Sequence, residues 1–338
     1  MVTLKTIAEE AGVSVMTVSR IINDIPGAAS AETAQRVREI AKARGYVPNY
    51  SARALVSKNS RMIAAIFQTD EGGNPLTDLY NARFLGALVN EVQAHGYDMM
   101  VRFVRSFDEA VESIRSWNAD GAVFNGIPDH NIRQLQEQNP IPLVFTDCYT
   151  AARHINHVGL DDAHGGELAA EYFVQHGHRG FAFVGYYQAA EGVMSHRREA
   201  FRQTLEGHGL ALPDDAVFTC ASDDAEDIAA CADCLAAAKG RITAVFAGAD
   251  ALALDLMEAL RDRGVRVPED LSIIGFDDMP LATHTFPRLT TIAQDLERKA
   301  KYVVDILFRH IADASAPMES MTLDVALVER DSVQDLRK

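Results

Sequence analysis

The residues best placed to do chemistry sit near the start of the chain, in the run VSVMTVSRIIN over 13–23. If this run is helical with Val18, Ile21 and Ile22 turned inward, then Val15, Met16, Thr17, Ser19, Arg20 and Asn23 share the outer face. A guanidinium at Arg20 can hold guanine N7 and O6 with two parallel hydrogen bonds, and Val15 or Met16 can touch a thymine methyl. Thr17 and Ser19 suit phosphate oxygens, which position a protein rather than specify a base. The bland alternative is an ordinary three-helix domain with a solvated polar face. A second group is Cys231-Ala-Asp-Cys234, which has the spacing of a redox or metal pair. It lies in an alanine-rich helical pattern with no second pair, so buried small residues explain it better. His154/His157 and His176/His178 lack the carboxylates and spacing of a closed metal site. No GxxxxGK[ST], no GxGxxG after a strand and no GxSxG occurs. No catalytic group, metal or cofactor is therefore expected, and Trp117 is read as a core residue.

The outer face of 15–23 needs elements to hold it. Thr3 can cap a helix over Leu4–Ala11 with Leu4, Ile7, Ala8 and Ala11 on one side, and Gly12 permits a sharp turn. Ser14 caps a second helix over Val15–Asn23. Ser30 caps a third over Ala31–Arg44, with Val37, Ile40 and Ala41 inward and Gly45 as its stop. Two short helices joined through a glycine and braced by a third make the helix-turn-helix plan. Pro48 ends this unit. Asn49 or Ser51 can then cap a short helix carrying Ala52, Leu55 and Val56, too short to be stable without a partner.

Charge is distributed in keeping with that plan. The 338 residues carry a formal net charge of −16, yet positions 1–60 hold eight Lys/Arg against five Asp/Glu. A small basic head rides on a strongly acidic body, which phosphate would repel, and this favours one docking orientation. Four cysteines in a chain of this length do not form a disulfide scaffold, which fits a reducing cytoplasm. No signal peptide and no long apolar run is evident, so a membrane partner is not expected.

From Arg61 onward, apolar runs alternate with amphipathic stretches, the mark of βα units. Strands are expected at Met62–Phe67, Asp98–Phe103, Gly121–Phe124 and Pro142–Phe145, then at Gly180–Val184, Ala216–Thr219, Ala244–Ala247 and Leu271–Gly275. Helices are expected near Leu79–His95, Asp108–Ser116 and Ile132–Gln138, then Gly165–His176, Arg197–Gly207, Ala225–Ala238 and Asp250–Arg263. Asp295–His310 and Met321–Leu327 add a helix and a strand to one lobe. Two similar parallel halves suggest two lobes with a ligand crevice at the carboxyl ends of their strands.

The segments TLKTIAEEAGVSVMTVSRIIN (3–23) and SAETAQRVREIAKARGYVPNYSARALVS (30–57) closely resemble the head of the lactose/galactose repressor (LacI/GalR) family. The likeness continues through Asp161 with Gly165–Gly166, Gly177-His178-Arg179, Ser195, Arg197 and Phe201. It extends to VPEDLSIIGFDDMP (267–280), Pro287 and LTTIAQD (289–295). The resemblance implies an all-α helix-turn-helix head on an α/β, two-lobed body like the periplasmic binding proteins. It divides the chain into a DNA-binding domain at 1–47, a hinge at 48–60 and an effector and dimerisation domain at 61–330. Within that domain, one lobe spans about 61–160 plus 292–330 and the other 161–291.

For the head, the resemblance adds Thr3, Ser14, Tyr46, Asn49, Arg53 and Leu55 to the residues expected at DNA, with Leu55 as a wedge in the minor groove. The alternative for Leu55 is a plain linker residue. Val56 departs from the basic residue often found there. For the body it implies a polar cleft in which Arg197 and Asp277 face each other, with Asn125, Asp147, Asp250 and Gln294 around them, and Asp70 also among the effector-binding residues. An acid and an arginine gripping adjacent hydroxyls suit a carbohydrate; the alternative is a salt bridge that locks the lobes. Ala249 replaces the usual asparagine, and no aromatic stands near Asp223–Asp224, where relatives stack a sugar ring. Phe276, Tyr80 or Tyr186 are the candidate substitutes. The stretch before Phe84 is longer than usual, which brings Asp78 and Tyr80 toward the pocket mouth.

The expected function is an allosteric transcriptional regulator, a homodimer on a pseudo-palindromic double-stranded DNA operator, controlled by a small sugar-like effector. The chain lacks C-terminal leucine heptads that would suggest tetramers. A cytoplasmic solute-binding protein without direct gene control is the alternative; an enzyme on the same fold ranks third, for want of a nucleophile–base constellation.

Overall fold

The computed structural model describes residues 2–47, 60–69, 74–116, 118–126, 132, 135, 139–148, 155–187, 192–221 and 225–337. Asn49, Arg53, Leu55, Asp70, Trp117, His154 and Asp223–Asp224, with nearly all of the expected hinge, lie outside them. The chain divides into two units, Met1–Ser60 and Arg61–Lys338.

In the first unit, Thr3 caps α1 (Leu4–Ala11) in a reciprocal arrangement with Thr6, and Gly12 closes it at φ 65°. That left-handed conformation is one an L side chain resists, which explains the glycine. Ser14 caps α2 (Val15–Ile22) by accepting from the Thr17 amide, and Ser30 does the same for α3 (Ala31–Ala43) through Thr33. Ile7, Ala8, Ala11, Val18, Ile21, Val37 and Ala41 form the buried core, with Leu4, Ile22, Ile40 and Tyr46 half-buried around it. The third helix stops one residue short of expectation, with Arg44 as its cap.

In the second unit, parallel strands repeat one topology twice. The first sheet contains β1 (Met62–Gln68), β2 (Asp98–Val104), β3 (Gly121–Asn125), β4 (Leu143–Thr146), β5 (His157–Leu160) and β11 (Ser320–Leu323), in the order β11-β5-β4-β3-β1-β2. The second contains β6 (Phe181–Tyr186), β7 (Val217–Cys220), β8 (Ala244–Ala247), β9 (Ser272–Asp277), β10 (Thr290–Ala293) and β12 (Ala326–Val328), in the order β12-β10-β9-β8-β6-β7. All described pairings are parallel except β10 with β12. Strand order reverses between β1 and β3 and again between β6 and β8, the point where such sheets open a crevice at their carboxyl ends. Central strands are covered on both faces, β8 and β9 along their whole length, which is why they read as unbroken apolar runs.

The helices in chain order are α4 (Leu79–Ala94), α5 (Phe107–Ser116), α6 (Asp162–Gln175), α7 (Val193–Gly207), α8 (Ala225–Ala237), α9 (Asp250–Asp262) and α10 (Leu296–Ala312). Of the helix expected at 132–138, Ile132 and Leu135 are described, both helical and fully buried. Two glycines let α6 pack closely, Gly166 against α7 and Gly165 against β9. A Cβ on Gly166 would stand 2.2 Å from the Arg197 carbonyl oxygen, and one on Gly165 2.5 Å from Phe276 Cε2. No helix among the described residues is long and apolar enough to cross a membrane.

The lobe boundary needs correction. β10 pairs with β9, and β12 returns antiparallel to β10, so 292–330 does not belong to the first lobe as a block. Only α10, packed on α4, and β11, paired with β5, do so. The stretch expected as one strand at 321–327 is two strands in different sheets, because the chain crosses back between Leu323 and Ala326. Two four-residue strands, β5 and β10, were not anticipated; each lies beside a crossing between the lobes, where alternation is too short to read.

Candidate functional site

On the head, Val15 and Met16 are exposed, Met16 by 65%. Arg20 is exposed as well, and its side chain makes no ion pair or hydrogen bond among the described residues. The neighbouring arginines differ: Arg38 is paired with Asp24 at 2.7 Å and Arg44 with Glu10 at 2.8 Å. Ser14 and Thr17 are joined hydroxyl to hydroxyl at 2.9 Å at the start of α2. The Asn23 amide folds back to donate to the Ser19 carbonyl at 2.8 Å, so it serves its own helix. Tyr46 leans on the head's core, and Thr3 caps α1.

In the body, the candidate side chains gather where strands end. Asn125 is the last residue of β3, Asp147 follows β4, Asp277 ends β9 and Gln294 follows β10. Tyr80 stands in the first turn of α4, and Arg197 in the second turn of α7. Both Asp147 (φ 54°) and Asp277 (φ 117°) hold backbone conformations that L residues rarely adopt, a local cost of about 1–3 kcal/mol each that clusters at functional sites.

One wall is built around a lysine that sequence reasoning missed. Lys299, on α10, is fully buried; its Nζ donates to Tyr80 Oη at 2.7 Å and forms an ion pair with Asp147. Tyr80 in turn donates to the other Asp147 oxygen. Burial alone would raise the Asp147 carboxyl, but the Lys299 charge and the hydrogen bonds from Lys299 and Tyr80 hold it below the ordinary carboxylate range. Burial, reinforced by the Asp147 charge, pushes the Tyr80 phenol well up, so it stays a neutral donor. Beside them the Asn125 amide donates to Asn81 at 2.9 Å, and its oxygen accepts from Thr146 at 2.8 Å. A signal for Lys299 was present: it shares the apolar face of 296, 300, 303, 304 and 307, where a lysine needs a partner.

The other wall is built on Arg197. Its Nε pairs with Asp162 Oδ1 at 2.6 Å, its Nη1 donates to the Gly248 carbonyl at 2.5 Å, and its guanidinium lies 3.4 Å from the centre of the Phe276 ring. Burial works against the charged guanidinium, but Asp162 and Asp277 outweigh it and raise its pKa. Three expectations change here. The ion partner of Arg197 is Asp162 rather than Asp277, and since α6 and α7 belong to one lobe this pair does not lock two lobes together. Phe276 is fully buried under the guanidinium, so it offers no free ring face to a ligand. Asp250 is also fully buried: it accepts from the Met279 amide at 2.7 Å and from Thr291 at 2.5 Å, holding the turn after β9 rather than lining open space. Burial raises its carboxyl to about 7. Cys231 is likewise buried in the core of this lobe, next to Cys220.

Asp277 joins the two walls. It accepts from Gln294 Nε2 at 2.6 Å, while Gln294 Oε1 is buried with no partner among the described residues. Burial pushes the Asp277 carboxyl well up; Arg197 opposes this, and the charges of Asp250 and Asp78 add to it. Asp78 caps α4 in the first lobe, and Arg197 is felt by Tyr80 and Asp147, so the walls lie within electrostatic reach of each other. Such a set can orient a hydroxylated ligand by charge-assisted hydrogen bonds. No cluster of metal-ligating side chains occurs among the described residues.

Comparison with known proteins gives this geometry a family. Residues 3–49 match the model for bacterial regulatory proteins of the lacI family, and residues 170–333 match the periplasmic binding protein-like domain. The chain is 31% identical to the HTH-type transcriptional repressor PurR of Erwinia tasmaniensis, across 99% of this chain and 98% of that protein. Its fold matches the crystal structure of the lac repressor dimer bound to operator and the anti-inducer ONPF, with a TM-score of 0.86, 24% identity and coverage of 98% and 99%. It also matches the complex of the transcriptional regulator CelR with cellobiose, with a TM-score of 0.73, 23% identity and coverage of 98% and 100%. The chain belongs to the LacI family of bacterial regulatory proteins.

Proposed function

We propose that the chain is a cytoplasmic transcriptional repressor, not an enzyme, that binds a pseudo-palindromic operator as a homodimer and answers to a carbohydrate effector between its lobes. The observation that carries this reading is the outer face of α2, where Arg20 stands exposed and unengaged while Arg38 and Arg44 are paired. An unpaired guanidinium on a capped, core-packed helix is available for a guanine edge. The division into a head at 1–47, a hinge at 48–60 and a sensor from 61 onward belongs to the same reading. So do the contacts expected of Asn49, Arg53 and Leu55 with DNA and of Asp70 with the effector. In support, the lac repressor structure holds operator and the CelR structure holds cellobiose. An effector acts only through unequal affinity for two arrangements of the lobes, which then bias the hinge.

The test is selection of duplexes from a random library followed by titration. The full-length protein is expected to enrich a palindromic site, with affinity falling about 10³-fold or more between 50 and 200 mM salt. Arg20→Ala is expected to cost roughly ten- to a hundredfold on that site, because a bidentate base contact is worth about 1–3 kcal/mol. Leu55→Ser should weaken operator binding and leave effector binding intact. Failure to enrich any duplex, or binding insensitive to salt, would favour a solute-binding protein; a monomer in sedimentation at micromolar concentration would overturn the dimer.

A further inference from the structure

We propose that Lys299 is a specificity-determining residue that makes the cleft select uncharged polyhydroxylated ligands and reject their carboxylate and phosphate counterparts. This rests on the effector-cleft reading above and names the ligand class that the cleft takes.

The inference comes from how the two buried cations are already spent. Lys299 is fully buried and paired with Asp147; Arg197 is buried and paired with Asp162, which is itself 1% exposed. Asp277 is a further carboxyl in the same space, and it is held by Gln294 rather than by an ion pair. Neither described cation of the cleft is therefore free to meet a ligand's charge. Among the described residues, an anionic ligand could gain a buried cation only by taking Lys299 from Asp147 or Arg197 from Asp162, leaving a buried carboxylate unpaired. A neutral hydroxyl asks for no such exchange.

The unmet polar capacity calls for a hydroxyl donor, which is the polyhydroxylated part of the assignment. Gln294 Oε1 is buried without a partner, and its orientation is set because Nε2 of the same amide donates to Asp277. That oxygen accepts only, so it needs a donor. A sugar hydroxyl donates and accepts; an ionised carboxylate accepts only. Tyr80 contributes by geometry: its phenol accepts from Lys299 and donates to Asp147, so it holds the ammonium in place without adding charge.

Calorimetry on the full-length protein with matched pairs tests this. The probes are galactose with galacturonate, glucose with glucuronate, gluconate and glucose 6-phosphate, and cellobiose with cellobionate. At least one neutral member is expected to bind, about tenfold or more tighter than its anionic partner. An anion that binds more tightly than its neutral partner overturns the proposal and leaves the effector cleft standing. Absence of binding by every probe sinks the carbohydrate reading itself and the proposal with it. Asp147→Asn removes the internal counter-charge with little change in side-chain size. The neutral-to-anion affinity ratio is then expected to fall by about tenfold or more. An equal loss for both members would show that Lys299 only supports the wall and would overturn its assignment; the wild-type comparison decides the ligand class whether or not this variant folds.

Discussion

The two walls of the cleft reach the same electrostatic arrangement by different means. Each buries a cation, pairs it with one carboxylate and sets it near an aromatic ring: Lys299 with Asp147, 5.4 Å from the Tyr80 ring centre, and Arg197 with Asp162, 3.4 Å from that of Phe276. The difference lies in what remains if the carboxylate is lost. Arg197 would keep the Gly248 carbonyl and the Phe276 face, but a guanidinium cannot shed its proton. Lys299 would keep Tyr80 Oη and the Tyr80 and Phe84 rings, 5.4 and 5.3 Å from its Nζ, but an ammonium, unlike a guanidinium, is able to lose its proton. The Arg197 pair is also the drier, with side-chain exposures of 5% and 1% against 0% and 12% for Lys299 and Asp147. One wall is rigid in charge, the other adjustable.

Removing each carboxylate should expose that difference. Asp162→Asn is expected to destabilise the body by about 3–5 kcal/mol in denaturant unfolding, the cost of stranding a buried charge. Asp147→Asn should cost less, about 2 kcal/mol, because water reaches Asp147, whose side chain is 12% exposed. Equal losses in the two variants would mean that the walls are equivalent.

A smaller effect probes the arginine-bearing lobe at its far end. His178 Nε2 meets the Gln334 carbonyl at 3.1 Å and its Nδ1 meets the Thr243 hydroxyl at 3.0 Å, tying the C-terminal segment to β8's approach. Burial lowers its pKa to about 4, so the folded state holds the neutral ring. Because the unfolded value is near 6.5, the unfolded chain takes up the proton first as pH falls. The stability that His178 contributes is full above about 6.5 and is lost progressively toward pH 4. Between pH 7 and 5 the wild type is expected to lose about 2 kcal/mol more than His178→Gln, whose amide can make both hydrogen bonds without titrating. Parallel pH profiles for the two proteins would remove His178 as the cause.

The same contrast explains what could be read from the chain. The head was legible almost to the residue because its signals are local: Thr3, Ser14 and Ser30 cap helices within three positions of themselves, and Gly12 supplies the turn. The strand ends that carry Asn125, Asp147, Asp277 and Gln294 were legible through apolar runs and family motifs. The partners were not. Arg197 and Asp162 are 35 positions apart, Lys299 and Asp147 are 152 apart, and no periodicity links such pairs. Phe276 and Asp250 were misplaced for a related reason. A phenylalanine beside an acid at a strand end looks available until β9 proves to be covered on both faces. An acid opening a helix looks solvent-facing until the turn after β9 folds onto it.

The smallest expected effect sets the scale for the others. Arg83 and Glu297 join α4 to α10 at 3.2 Å, the same two helices that bring Tyr80 and Lys299 together, but their side chains are 37% and 71% exposed. In water the Coulomb gain of such a pair is nearly cancelled by the entropy of holding two long side chains, and salt screens what is left. Arg83→Ala is expected to change unfolding free energy by less than about 0.5 kcal/mol, and less still in 0.5 M salt. If this variant instead cost as much as Asp147→Asn, the α4–α10 contact as a whole, rather than burial of the Lys299 charge, would be what the lobe-one substitutions report. The distinction between the adjustable and the rigid wall would then rest on helix packing and not on how each cation is neutralised.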